Sequence, residues 1–477
     1  MTDGAQERVT TDGAQERVLT ARALADWGTS VGSFPAEVRR AARRHLFDGL
    51  ANVVGAVRTG TVPAAVPVAA DLGGTPEAAI LATGQRVSAP AAALANGALV
   101  HALDFDDTHA GGLIHATAVV LPAALAVGEQ TRASGAAVLD AAIVGYEAAC
   151  RIAAAAPHGF HARGLHATMV AGVFSSALVA ARLLGLDAER TTHALGIAGS
   201  QAGGLLAFLG TGASTKQLHP GFASHAGILA ARLAAAGGTG PETVFDGPHG
   251  VYDALANGPV DPAAIVRELG ERWETTRIGI KPYPACQLSH ATLDATTAAL
   301  AGRTVHPDDV AEIVAWVHPD SAAVVCDPGR DLTRPASEYA AKFSLPWSVA
   351  ALICDGRLGV DTFAEESIRR PEVTALAARV RVEIALSDQV AADAPGRVRV
   401  RLRDGTELDG SVPRSAGGPD NPITDEGLIA KATGLAGRDA APLYTAVQDL
   451  DRHPDLTPLL ETVAALLRGT PEERTQP

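Results

Sequence analysis

Closely spaced cysteines are missing from this chain: Cys150, Cys286, Cys326 and Cys354 stand far apart. Without a C-x-x-C pair there is no zinc ribbon, no disulfide framework, and no thiolate set of the kind that holds an iron–sulfur cluster, and a reducing cytoplasm is the expected setting. Cations are also short, 39 Lys plus Arg against 53 Asp plus Glu for a net charge of -14. The one dense basic cluster, Arg39, Arg40, Arg43 and Arg44, is too brief to track a nucleic acid, so none is expected as a partner. Apolar runs of membrane length are lacking too. The longest, LIHATAVVLPAALAVG and HATMVAGVFSSALVAARLLGL, are interrupted by His, Pro, Ser or Arg and are read as buried helices, with no membrane span. Aromatic residues amount to 4%.

What is present is an interior. Hydrophobic residues make up 47% of 477, enough for a globular protein of two or three domains. The duplicated segment TDGAQERV, at Thr2–Val9 and again at Thr11–Val18, carries no signal-peptide layout and is read as a disordered tail over 1–18. From 19 to 274 the chain is rich in Ala and Leu with apolar residues three and four apart, which predicts packed helices. From 275 to 414 short alternating stretches such as DVAEIVAWVHP, ARVRVEIAL and GRVRVRLRDGTELDGSV predict strands, with a hairpin at Asp404-Gly405. Helical periodicity returns over 415–477. The predicted fold is thus mainly α with a smaller α+β domain, and the double crossing places a cleft between the two.

Chemistry is concentrated in four strings. HALDFDDTHAGGLIHATAVV sets three aspartates, Thr108 and three histidines in sequence otherwise built for burial. On a helix Asp104 and Thr108 would share a face, leaving Asp104 to orient an imidazole or hydroxyl. DFDD also matches the acid motif of class II terpene cyclases, but carbocation chemistry needs aromatic walls that this composition does not supply. PHGFHARGLHATMVAG leads a Gly-rich loop into an apolar helix, where His166 would have its pKa moved by burial and the helix start; His158 and His161 read as ordinary core or surface histidines. The string lacks H-E-x-x-H spacing, and no metal is expected. STKQLHPG places Lys216 among small residues that let an ammonium and backbone N–H groups approach a carboxylate; with no Gly-Lys-Ser/Thr it is not a Walker loop. IKPYPACQLSH brings Lys281, Cys286 and His290 to the domain junction.

DFDDTH, GLHATMVAG, STKQLHPG, KPYPAC and AKFSLP, in this order from about Thr20 to Arg468, resemble the MmgE/PrpD family, whose members include 2-methylcitrate dehydratase and cis-aconitate decarboxylase. The resemblance implies a cofactor-free homodimer, each subunit having a helical domain and a lid domain with the active site in the cleft. It carries pocket positions onto Asp104, Thr108, His115, His166, Lys216 and Lys281, all matching in type. Two positions differ: Cys286 stands where the cis-aconitate decarboxylase branch has His, and Trp347 where it has Tyr. Both departures bear on whether cis-aconitate itself is the acid.

The implied activity is lyase-type proton chemistry next to a carboxylate on a small polycarboxylic acid, with 2-methylcitrate dehydration first and decarboxylation or isomerisation beside it. Lys216 and Lys281 would clamp carboxylates and stabilise developing charge, His115 and His166 would move protons, Asp104 would orient an imidazole, and Thr108, Cys286 and Trp347 would line the substrate site. A carboxylate-binding protein without catalysis would keep the cations but have no need of the paired histidines.

Overall fold

The computed structural model describes residues 18–468, so the duplicated N-terminal segment, apart from Val18, falls outside the described residues. The first ten helices form a body around one apolar core. They are α1 (Thr20–Ser30), α2 (Ala36–Arg58), α3 (Ala65–Leu72), α4 (Ala89–His101), α5 (Ala116–Thr131), α6 (Gly135–Ala154), α7 (Gly159–Ala162), α8 (Ala167–Leu183), α9 (Ala188–Gly199) and α10 (Thr215–Ala235). Every residue of α4 is buried, and α5 and α8 are nearly as covered, because their sequences are apolar on all faces and stable only inside a bundle.

Small residues let these helices pack closely. α4 and α10 cross where Gly97 meets Gly221, and a Cβ on Gly97 would lie 2.8 Å from the Gly221 Cα. This backbone-to-backbone crossing fixes the start of α10, and with it Lys216, against the end of α4.

Beyond α10 the chain leaves the body through Ile278–Gly279, a two-residue strand paired antiparallel with Thr108–His109. The smaller α+β domain, labelled the lid with no movement implied, holds a four-stranded sheet in the order β2-β1-β3-β4, from β1 (Val310–Val317), β2 (Val380–Ile384), β3 (Gly396–Leu402) and β4 (Glu407–Val412). β1 and β2 are parallel; the other pairs are antiparallel, and β3 turns into β4 through Asp404-Gly405, where Gly405 takes a φ of +90°. Helix α11 (His290–Leu300) lies on β3 and β4, where a Cβ at Gly396 or Gly410 would collide with the Ala291 or Ala295 carbonyl. Helix α12 (Leu345–Asp355) completes the lid core. Mainly α with a smaller α+β domain is therefore the observed fold.

The chain returns beside its exit, with the Ile280 N–H donating to the Gly417 carbonyl at 2.9 Å. Helices α13 (Asp425–Ala436), α14 (Ala441–Gln448) and α15 (Thr457–Leu467) then add Leu428, Leu435, Leu443 and Leu459 to the core of the body. The basic cluster on α2 is consumed here: Arg40 and Arg44 pair with Asp425, Arg43 with Asp451, and Arg39 with Asp140. Among the described residues no helix is long and apolar enough to cross a membrane. Gly97→Ala should destabilise the protein by about 1–3 kcal/mol, the usual cost of overpacking, visible as a lower thermal midpoint, since the neighbour it strikes is backbone.

Candidate active site

Helix α4 ends at His101, and the residues that follow are not helical, so Asp104 and Thr108 do not share a helix face as their spacing suggested. Asp104 takes a left-handed φ of +52°, unusual for a residue with a side chain. The turn is pinned by three ammonium groups on three successive carbonyls: Lys342 on Leu103, Lys281 on Asp104 at 2.9 Å, and Lys431 on Phe105 at 2.8 Å. These lysines come from the start of the lid's second half, the domain crossing and α13.

The Asp104 carboxylate sits at the centre of the cluster. Its Oδ1 accepts from Lys216 Nζ and from Lys281 Nζ, both at 2.9 Å, while its buried Oδ2 has no partner among the described residues. Burial pushes this carboxyl upward, but the ammonium groups of Lys216 and Lys281 outweigh it and hold the group well below the usual carboxylate range. The partnership is reciprocal for Lys281, where burial favours loss of the proton and Asp104 more than restores it.

His115 Nδ1 lies 2.8 Å from the Asp107 carbonyl, which can only accept, so Nδ1 carries the proton and the Nε2 lone pair faces Lys216 Nζ at 3.3 Å. Thr108 Oγ1 is 3.3 Å from the same Nδ1. The His115 backbone N–H donates to Thr168 Oγ1 at 3.2 Å, and the Thr168 hydroxyl hydrogen is then free to donate to His166 Nε2 at 3.0 Å. That leaves His166 Nδ1 as donor to His219 Nδ1, 3.0 Å away. Burial, then the Lys216 charge, pushes both His115 and His166 well below the ordinary imidazole range, so both are neutral.

Beside His115 lies an imidazole–carboxylate pair that pattern reading did not single out. His101 Nδ1 is 2.9 Å from both Asp106 oxygens, its ring centroid is 4.5 Å from that of His115, and its Nε2 is buried without a partner. Asp106, not Asp104, is thus the carboxylate bonded to an imidazole. Lys342 and His219, also missed, were visible only as letters inside AKFSLP and STKQLHPG. Asp107 accepts from the Thr117 N–H and hydroxyl, and burial pushes its carboxyl up to about 8, so it is neutral at pH 7.

These groups back onto a cavity of about 60 Å³ between body and lid. Lys216, His115, His166, His161, Cys286 and Gln287 line it together with the apolar side chains of Leu113, Leu206, Phe208, Leu209, Leu288, Val324 and Phe343. His166 and Lys216, from separate stretches of chain, thus meet on one surface. His161 has an Nδ1 without a partner, and burial pushes the Cys286 thiol up, so it is neutral. Asp104, Thr108 and Lys281 stand behind this lining. Trp347 is placed elsewhere: it is fully buried in the lid with its ring 5.4 Å from Phe363, and does not line the cavity.

Nitrogens and oxygens of His101, Asp104, Asp106 and His115 lie within 4.8 Å of one another, as do nitrogens of His101, His115 and His166, spacings that a metal ion could bridge. A cation joined to Asp104 Oδ1 would compete with two ammonium groups already bonded there.

With the geometry in place, comparison with known proteins is informative. The MmgE/PrpD N-terminal domain matches residues 22–263 and the MmgE/PrpD C-terminal domain residues 283–442. A cis-aconitate decarboxylase of Aspergillus terreus is 30% identical, over 92% of this chain and 94% of its own length. The Homo sapiens cis-aconitate decarboxylase is 31% identical over 61% of each chain, and that of Mus musculus 29% over 79% of this chain and 78% of its own. The chain belongs to the MmgE/PrpD family. It is an enzyme of the lyase class.

Burial pushes His45 and His219 down to about 4, and His161 and His290 to about 3. Below an unfolded value of about 6.5 the unfolded chain binds protons that these folded imidazoles refuse. Asp48, Asp107 and Asp294, raised by burial, act with the opposite sign but are outnumbered, since burial also lowers His101, His115, His158 and His166. The thermal midpoint should therefore fall steadily as pH is lowered from about 6.5 to about 4, at up to about 1.4 kcal/mol per pH unit for each such histidine.

Proposed function

We propose that the enzyme releases CO2 from a small unsaturated polycarboxylic acid. The observation that carries this reading is the 3.3 Å contact between Lys216 Nζ and His115 Nε2 in a cavity that apolar side chains also line. One substrate carboxylate pairs with Lys216, whose fixed charge stabilises the dienolate that forms as the carbon–carbon bond breaks. The departing carboxylate lies against the apolar lining, where weak solvation favours neutral CO2 over the anion. His115 Nε2 passes on a proton from Lys216 to complete the new carbon–hydrogen bond as the dienolate charge is quenched, and solvent then reprotonates Lys216. Thr168, His166 and His219 hold the imidazole in place through the chain of hydrogen bonds that starts at the His115 N–H.

Dehydration of a 2-methylcitrate-like hydroxy acid is the second reading, and His161 favours it. The residue lines the same cavity and its buried Nδ1 has no partner among the described residues, so it would serve a leaving hydroxyl. Incubation of each acid in D2O, followed by NMR, separates the two by product and by the carbon that takes deuterium.

A homodimer is part of the proposal. Val68 and Leu72 on α3, and Phe222 and Leu233 on α10, expose large apolar side chains on helices that both pack against α4. Light scattering should give a mass near twice 48.6 kDa.

Lys216→Met should abolish CO2 release, and His115→Gln should lower it by about 10²–10⁴-fold, with the far-ultraviolet circular dichroism of both variants unchanged. Turnover near the wild-type rate in Lys216→Met would remove the assignment.

A further inference from the structure

Resting on the decarboxylase reading above, we propose that the preferred acid is a dicarboxylate: a glutaconate chain carrying an apolar group where cis-aconitate carries its central carboxylate. The charge inventory of the site leads to this. Among the described residues lining the cavity Lys216 is the single cationic side chain. Lys281 and Lys342 stand behind it, committed to the carbonyls of Asp104, Leu103 and Pro284. Lys216 and Lys281 share the Asp104 carboxylate and Asp106 is taken by His101, so Lys216 is the one charge that the cavity lining itself offers a substrate.

The other polar groups of the lining add nothing to that charge. His115, His166 and His161 are held neutral by burial, and the thiol of Cys286 occupies the place of a residue that could have been a further cation. The first carboxylate of the acid is satisfied by Lys216. The second leaves as CO2 against the apolar lining and needs no counter-ion once the bond is broken. A third would find the neutral amide of Gln287 but no counter-ion, a costly arrangement for a buried charge. An alkyl group at that carbon meets Leu206, Phe208 and Val324 instead and gains by leaving water.

The reaction balances with one proton from solvent water per turnover, which restores the Lys216–His115 pair after product forms. The bond from the methylene carbon to its carboxylate breaks and CO2 departs, and the electron pair passes through the double bond into the conjugated carboxylate as a dienolate. A proton from the Lys216–His115 pair then joins the carbon next to that carboxylate, and the double bond ends at the former methylene carbon.

The test uses the full chain with cis-aconitate, 3-methylglutaconate and 3-isopropylglutaconate, the glutaconates in both double-bond geometries, measuring CO2 release and deuterium uptake in D2O. The expected result is a kcat/KM for a 3-alkylglutaconate on the order of a hundredfold above that for cis-aconitate, as one unpaired buried charge would impose. Val324→Lys, which adds a cation to the apolar lining at a half-exposed position, should shift that ratio toward cis-aconitate by at least about tenfold. Turnover of cis-aconitate equal to or better than the dicarboxylates overturns the inference while leaving the decarboxylase reading standing, as does a ratio that Val324→Lys does not move. Absence of CO2 and of deuterium uptake from all the acids overturns both.

Discussion

The site depends on one electrostatic arrangement: a buried turn whose successive carbonyls, at Leu103, Asp104 and Phe105, each receive an ammonium group. A left-handed aspartate is an uncomfortable conformation, and the charge-assisted hydrogen bonds that surround it supply the compensation. Once the turn is fixed, the Asp104 carboxylate has one place to be, and Lys216 and Lys281 are drawn to it. The position of Lys216 then decides what the cavity can hold, and its charge adds to the burial that keeps His115 and His166 neutral.

Packing and charge cooperate in this. The Gly97–Gly221 crossing brings α10 close enough for Lys216 to reach across, and the pairing of Ile278–Gly279 with Thr108–His109 brings the crossing segment alongside the turn, close to Lys281. Neither contact touches substrate. Together they set where the ammonium groups sit, so the chemistry is a property of the backbone layout as much as of the side chains that carry it.

Much of this was legible in the sequence, and for identifiable reasons. Apolar period and Ala content separate helices from the alternating strands of the lid, and Asp404-Gly405 marks its own hairpin. DFDDTH, STKQLHPG and KPYPAC announce themselves because polar residues are rare in sequence so apolar. What the letters do not carry is partnership. Helical spacing joined Asp104 to Thr108, but α4 stops at His101 and the backbone turns away. Asp104 binds ammonium groups while Asp106 takes the imidazole of His101, and nothing in three neighbouring aspartates distinguishes those fates. Trp347 aligned with a pocket position but packs on Phe363 inside the lid, since register within a string says which helix a residue occupies and not which way its ring lies. The partnerships of His219 and Thr168 were hidden for the same reason: His219 meets the His166 imidazole, and Thr168 the His115 backbone, across fifty or so residues.

The lysines that cap the turn also order events during synthesis. The part of the chain that leaves the ribosome first contains the turn, both imidazoles and Lys216, yet Lys281, Lys342 and Lys431 follow only with the domain crossing, the lid and the returning helices. Until those arrive, Asp104 is a carboxylate facing burial with half its counter-charge, and the body has reason to stay open at that end. Closure of the cleft therefore waits on the domain crossing, the second domain and the first returning helix, so that body and second domain complete it together.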